Sequence, residues 1–177
     1  MAPRRKGKDP ESNKTCPVGA RSVDAEARIH EGPVMNERIG VSDLEFVEIP
    51  IRVRYADTDQ MGIVYYGNYP AFFEVGRSEY MRQKGYPYRD VEEMGYYFVV
   101  VGLEAKYYGN ATYDDVIVVK TRVTELKSRG ITFHYVVTRE GVLVVEGTTK
   151  HICVNSDKKP VTIPQKIIEI FRNGRTA

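Results

Sequence analysis

Tryptophan is absent from this 177-residue chain, cysteine occurs twice and histidine three times. Each scarcity argues against a class of chemistry. Cys16 and Cys153 form no CxxC pair, which speaks against a zinc ribbon or a thioredoxin-like centre. Cys153, near the end of an apolar run, reads as a small buried hydrophobe rather than a nucleophile, and such sparing use of cysteine fits a cytoplasmic protein. His30, His134 and His151 stand far apart with no HxxxH or HExxH between them, so no metal is expected. No GxxxxGK or GxGxxG loop cradles a phosphate, and no GxSxG elbow presents a serine. No run of eighteen apolar residues exists, so no membrane-spanning helix is expected. The opening MAPRRKGKDPESNK has no apolar stretch behind it and does not read as a secretory signal. With 26 basic against 24 acidic side chains, long-range attraction to nucleic acid is small, and no nucleic-acid partner is expected.

The length favours one compact domain that buries a core without disulfides. Residues 1–43 mix Pro, Gly, Ser and charges without apolar periodicity and read as a disordered tail or an expression remnant, leaving 44–177 as the folded domain. LEFVEIPIRVRY alternates as a strand, with Pro50 pointing to an edge or a bulge. From Tyr69 to about Lys84 the pattern is helical, with Asn68 as a cap, Pro70 near the first turn, and Phe72, Phe73, Gly76, Tyr80 and Met81 as an apolar stripe. Gly76 within that stripe marks close approach to a neighbour. A short helical turn at 88–95 precedes four strands at 97–108, 115–126, 130–140 and 141–155, the last two forming a hairpin. IPQKIIEIF closes the chain as a short helix or strand. A single long helix beside a run of antiparallel strands predicts an α+β layer arrangement, whose open edges and outer face invite a homodimer.

The chemistry concentrates in YADTDQMGIVYYGNY, residues 55–69. Asp57, followed by Thr58, suits a loop held by side-chain to backbone bonds. Asp59 is different, because Gly62 and a helix start follow closely. A helix amino end offers free N–H groups and partial positive charge, which can hold a carbonyl oxygen as charge develops on it. A nearby aspartate then attacks the carbonyl or activates water, and a thioester suits this minimal apparatus because its thiolate leaves without a strong acid. Glu74 and Glu79 on the helix read as solvated or structural, Glu74 being near enough to the helix start to test.

IRVRYADTDQMGIVYYGNYPAFFEVGRSEYM resembles the opening of the hotdog-fold acyl-CoA thioesterases, in the branch of 4-hydroxybenzoyl-CoA thioesterase and the Tol-Pal-associated thioesterases, and the likeness runs on through GLEAKYYGNATYDDVIVVKTRV and ITFHYVV over about residues 45–172. That resemblance implies a hotdog fold, a long central helix wrapped by a curved antiparallel sheet of about five strands. It implies a homodimer whose sheets join edge to edge with the sites at the interface, or a dimer of such dimers. It carries the catalytic aspartate onto Asp59 and the oxyanion contact onto the Tyr66 backbone amide, with Gly62 and Tyr69 shaping the loop and Tyr55 beside the site. Tol-Pal-associated relatives often carry histidine where Tyr66 stands, so a side-chain acid–base role does not transfer, while the backbone contact does. Phe72 and Phe73 line the acyl pocket or fill the core. Lys106, Lys127, Arg129 and Lys150 are the candidates for the phosphates of coenzyme A, which is part of the substrate and not a cofactor. The expected reaction is hydrolysis of an acyl-CoA thioester. Its rivals are hydrolysis of a thioester on an acyl carrier protein and acyl-CoA binding without catalysis. A hydratase of the same fold generally pairs its aspartate with a histidine five residues on, where this chain has Val64.

Overall fold

The computed structural model describes residues 45–173. The expectation for residues 1–43 lies outside the described residues. Five strands, β1 (Val47–Arg52), β2 (Tyr96–Tyr107), β3 (Val116–Leu126), β4 (Gly130–Arg139) and β5 (Val142–Asn155), accompany three helices, α1 (Tyr69–Gln83), α2 (Tyr88–Glu93) and α3 (Gln165–Asn173). All strand pairs are antiparallel and the order is β1-β3-β4-β5-β2. This is the α+β hotdog arrangement: one long helix against a five-stranded antiparallel sheet.

The two edges differ. Pro50 lies on β1, where a residue without an N–H blunts an open edge, as its position in the sequence predicts. β2, the other edge, is 12 residues long and carries Val99, Val100, Val101 and Leu103 at 43–57% exposure. Register shifts leave an extra residue on β2 at Val101, on β3 at Thr124 and on β5 at Val144. Such bulges bend strands and increase their twist.

Alternation sets the inner face. Ile117, Val119, Thr121 and Val123 on β3, and Ile131, Phe133, Tyr135 and Val137 on β4, are all buried. The stripe predicted for α1 packs onto them: Phe72, Phe73, Gly76, Tyr80 and Met81 are buried together with Tyr69. Phe73 stacks on Tyr135 with centroids 4.4 Å apart. Helix and sheet are tightly apposed at Gly76, since a Cβ there would stand 2.5 Å from Thr121 Oγ1 and 2.8 Å from Val119 Cγ1. The closing segment is a helix, and its Ile167, Ile168 and Phe171 join the same core.

Candidate active site

β1 ends beside the start of β3, and residues 53–69 fold back there into the mouth of α1. Asp57–Asp59 runs antiparallel to Ile63–Tyr65: Tyr65 N–H donates to Asp57 C=O and Asp59 N–H to Ile63 C=O, both at 2.9 Å. Gln60, Met61 and Gly62 make the turn. Gly62 has φ +74°, the left-handed region that costs a residue with a Cβ about 1–2 kcal/mol. The hairpin is tied to the β2–β3 connection, where Val64 N–H donates to Ala111 C=O at 2.8 Å. Asp115 fastens that connection in turn. It accepts from Thr112 N–H at 2.6 Å and from Arg139 Nη1 at 3.1 Å, and these bonds, the Thr112 amide foremost, hold its carboxyl below the usual range.

The two aspartates have separate surroundings. Asp57 is buried and accepts from Arg54 three times: from its N–H at 2.9 Å, Nε at 3.1 Å and Nη2 at 2.8 Å. The Arg54 side-chain bonds keep its carboxyl below the ordinary aspartate value. Both its carboxylate oxygens are engaged in holding the chain. Asp59 is half-buried, and its Oδ1 accepts Met61 N–H at 2.8 Å, so it too shapes the turn. Its Oδ2 has no hydrogen-bond partner among the described residues.

A 3₁₀ turn, Tyr66–Asn68, leads into α1. Tyr65 C=O accepts Asn68 N–H at 2.9 Å, while the N–H groups of Tyr66 and Gly67 have no acceptor among the described residues. These are the orphan donors that a helix entrance leaves over. The first turn of α1 carries no acidic residue, so nothing of its own neutralises the positive end of the helix. Asn68 does not cap α1 as expected from its position. Its Nδ2 donates instead to Asp57 C=O at 2.9 Å, because the 3₁₀ turn places it beside the aspartate loop.

Aromatic rings surround this mouth. Tyr65 and Tyr66 lie 4.6 Å apart, and Tyr107 stands edge-on to Tyr66 and Tyr69 at 6.4 and 5.6 Å. Tyr65 is raised above the ordinary phenol value, first by its hydrogen bond with the Tyr66 hydroxyl and least by the Asp59 charge. Burial pushes Tyr69 up to about 12. Tyr55 is 79% exposed and packs against Tyr113, at 5.8 Å.

The remaining candidates scatter. Phe72 and Phe73 belong to the buried core. Lys127 pairs with Glu125 at 3.0 Å, and it stands with exposed Arg129 around the β3–β4 turn, at the far end of the sheet. Lys106 is at the near end of β2 but lines a groove of about 140 Å³ with His134 and Glu146. Lys150 is exposed and lies 3.8 Å from Glu104. Farther along α1, Glu74, Arg77 and Ser78 face Tyr88, Phe98, Phe133 and buried His151 across a cavity of about 70 Å³. Burial, and then the Arg77 charge, push His151 down to about 4, so it is neutral at pH 7. Burial likewise raises Cys153 to about 11, which leaves it an inert thiol. No group of three metal-ligating side chains and no helix long and apolar enough to cross a membrane occurs among the described residues.

Residues 53–171 match the Thioesterase-like superfamily, and the chain belongs to that family. It is similar to the acyl-CoA thioesterase YbgC of Haemophilus influenzae, at 36% identity over 126 residues, 70% of this chain and 93% of that one. Among solved structures it resembles a hypothetical protein from Thermus thermophilus, with TM-score 0.70 and 38% identity over 72% of this chain and 98% of that one. It also resembles a DHNA-CoA thioesterase from Staphylococcus aureus, with TM-score 0.66 and 30% identity over 75% and 97% of the respective chains. Membership supports thioester hydrolysis at the level of the family.

Proposed function

We infer that the protein hydrolyses an acyl-CoA thioester to a free carboxylic acid and coenzyme A. One observation carries this reading: Asp59 Oδ2 and the Tyr66 N–H, both without partners among the described residues, are offered by the same pinned loop at the mouth of α1. The thioester oxygen lies against the Tyr66 amide, which meets the negative charge as the carbonyl carbon becomes tetrahedral. Asp59 either attacks that carbon, expelling the thiolate and forming an anhydride that water opens, or takes a proton from the attacking water. In both routes one water is consumed, the C–S bond breaks, and the thiolate is protonated. Gly62 and Tyr69 shape the loop and the helix entrance, and Tyr55 with its aromatic neighbours borders the opening.

The active form in this reading is a homodimer joined along β2. A 12-residue edge strand with Val99, Val101 and Leu103 exposed is a pairing surface that a monomer would have to protect. The test is thiol release from short and long aliphatic and aromatic acyl-CoAs, the last because the staphylococcal relative is a DHNA-CoA thioesterase by name. Wild type releases thiol and Asp59→Asn loses at least ~100-fold in kcat. Full kcat in the variant sinks the assignment of Asp59. Matched thioesters on an acyl carrier protein separate the carrier-dependent alternative, and tight acyl-CoA binding without release would mark a binding module.

A further inference from the structure

Tyr107 is the last residue of β2, held in register opposite Val145 of β5. From that anchor its hydroxyl donates to Tyr66 C=O at 3.2 Å, while its ring abuts Tyr66 and Tyr69 edge-on. The bond lands on the turn that presents the Tyr66 and Gly67 amides. In a trans peptide the N–H points away from the carbonyl of the same plane, so a bond to the carbonyl fixes where the N–H aims and polarises it. The plane carrying the Tyr66 N–H has its carbonyl on Tyr65, which Asn68 N–H holds at 2.9 Å. The next plane, carrying the Gly67 N–H, has its carbonyl on Tyr66, which Tyr107 holds. Asn68 Nδ2 ties the other side of the turn to Asp57 C=O. Between Asn68 and Tyr107 both peptide planes are fixed from behind, with their N–H groups left outward.

We propose that Tyr107 is a positioning residue for thioester hydrolysis: its hydroxyl holds the Tyr66–Gly67 peptide plane, which adjoins the Tyr66 amide, so that the Tyr65–Asn68 turn keeps that oxyanion amide aimed. This rests on the hydrolytic reading above. Tyr107 touches no reacting atom and acts through the turn. Removing its hydroxyl gives up one long bond of 3.2 Å and keeps the ring, so it costs little stability.

The test compares wild type, Tyr107→Phe and Asp59→Asn as full chains, in thiol release and in ¹⁵N amide spectra. Tyr107→Phe keeps the ring and removes only the bond. Its kcat should fall roughly 5- to 30-fold, short of the ~100-fold or more that a lost oxyanion donor costs, with KM changed less than about 2-fold. The Gly67 amide resonance should move, and Tm should not. Full kcat in Tyr107→Phe, with Asp59→Asn inactive, overturns this inference and leaves the hydrolytic reading standing. An unmoved Gly67 resonance overturns it whatever the activity. If wild type releases no thiol from any thioester, the hydrolytic reading falls and takes the catalytic role of Tyr107 with it. A fall in kcat accompanied by an equal loss of Tm would mark Tyr107 as merely structural.

Discussion

Asp57 and Asp59 stand two residues apart, yet replacing each by asparagine should damage different properties. Asp57 accepts three hydrogen bonds from Arg54, one from its backbone. The ionic share of that pair is small, because the Arg54 side chain is 76% exposed and solvent screens it. The larger share is geometric: an asparagine amide would turn one NH₂ toward donors in a buried place, at about 1–3 kcal/mol. With a urea m-value of about 2 kcal/mol/M, the unfolding midpoint of Asp57→Asn falls by roughly 0.5–1.5 M. Its kcat per folded molecule stays within about 5-fold, since Tyr65 and Asn68 are held by the Asp57 carbonyl and not by its side chain. Asp59→Asn keeps an Oδ1 to accept Met61 N–H, so its midpoint moves by no more than ~0.3 M while kcat collapses. Urea unfolding at one fixed protein concentration, with thiol release on the same samples, measures both. Equal midpoint losses in the two variants, or a kcat loss in Asp57→Asn as deep as in Asp59→Asn, would refute the division of labour.

Gly76→Ala sets about 1 kcal/mol of helix propensity against a Cβ driven to 2.5 Å from Thr121 Oγ1 and 2.8 Å from Val119 Cγ1. Overpacking of this kind costs about 1–3 kcal/mol, so a net loss of ~1 kcal/mol is expected in urea unfolding, and a gain would show that helix and sheet are less tightly apposed. His151 makes stability pH-dependent. Its folded value, about 4, lies below the ordinary 6.5, so between those values the unfolded chain binds the extra proton and stability falls as pH drops. That loss reaches up to about 3 kcal/mol near pH 4. His151→Phe should flatten the urea midpoint between pH 6.5 and 4.5, and an unchanged slope would place the proton elsewhere.

The helix was the most legible element, because Pro70, the Phe72–Met81 stripe and Gly76 each carry a local signal that its packing on β3 and β4 then uses. The strands came from alternation and the β4–β5 hairpin from its tight turn. The sheet order was not legible: the chain passes through α1 and α2 between β1 and β2, and no local signal says that they take opposite edges. Asn68 misled for a similar reason. Its type and place fit a helix cap, but the 3₁₀ turn ahead of α1 gives its side chain a partner eleven residues upstream. Asp59 and Gly62 stood out by spacing within one loop. Tyr107 did not, since its link to Tyr66 spans forty-one residues and depends on which way a strand-end side chain turns.

The positions of the cations bear on what the homodimer proposed above would add to this site. Asp59 is at the end of the sheet where β3 begins. Lys127 and Arg129 follow the other end of β3, 11 residues away, roughly 35 Å along an extended strand. Arg129 C=O accepts Cys153 N–H, and Cys153 lies opposite Phe98, so Arg129 sits across β5 from the first turns of β2. Tyr107, beside the Asp59 mouth, is at the other end of that strand. If two copies join their β2 edges antiparallel about a two-fold axis, the Phe98 end of one strand falls beside the Tyr107 end of the other. The partner's Arg129 is then carried toward the mouth that its own subunit's Arg129 cannot reach. In the dimer proposed above, one contact surface would bury the exposed valines of β2 and also bring cations toward the opening proposed for the acyl-CoA substrate.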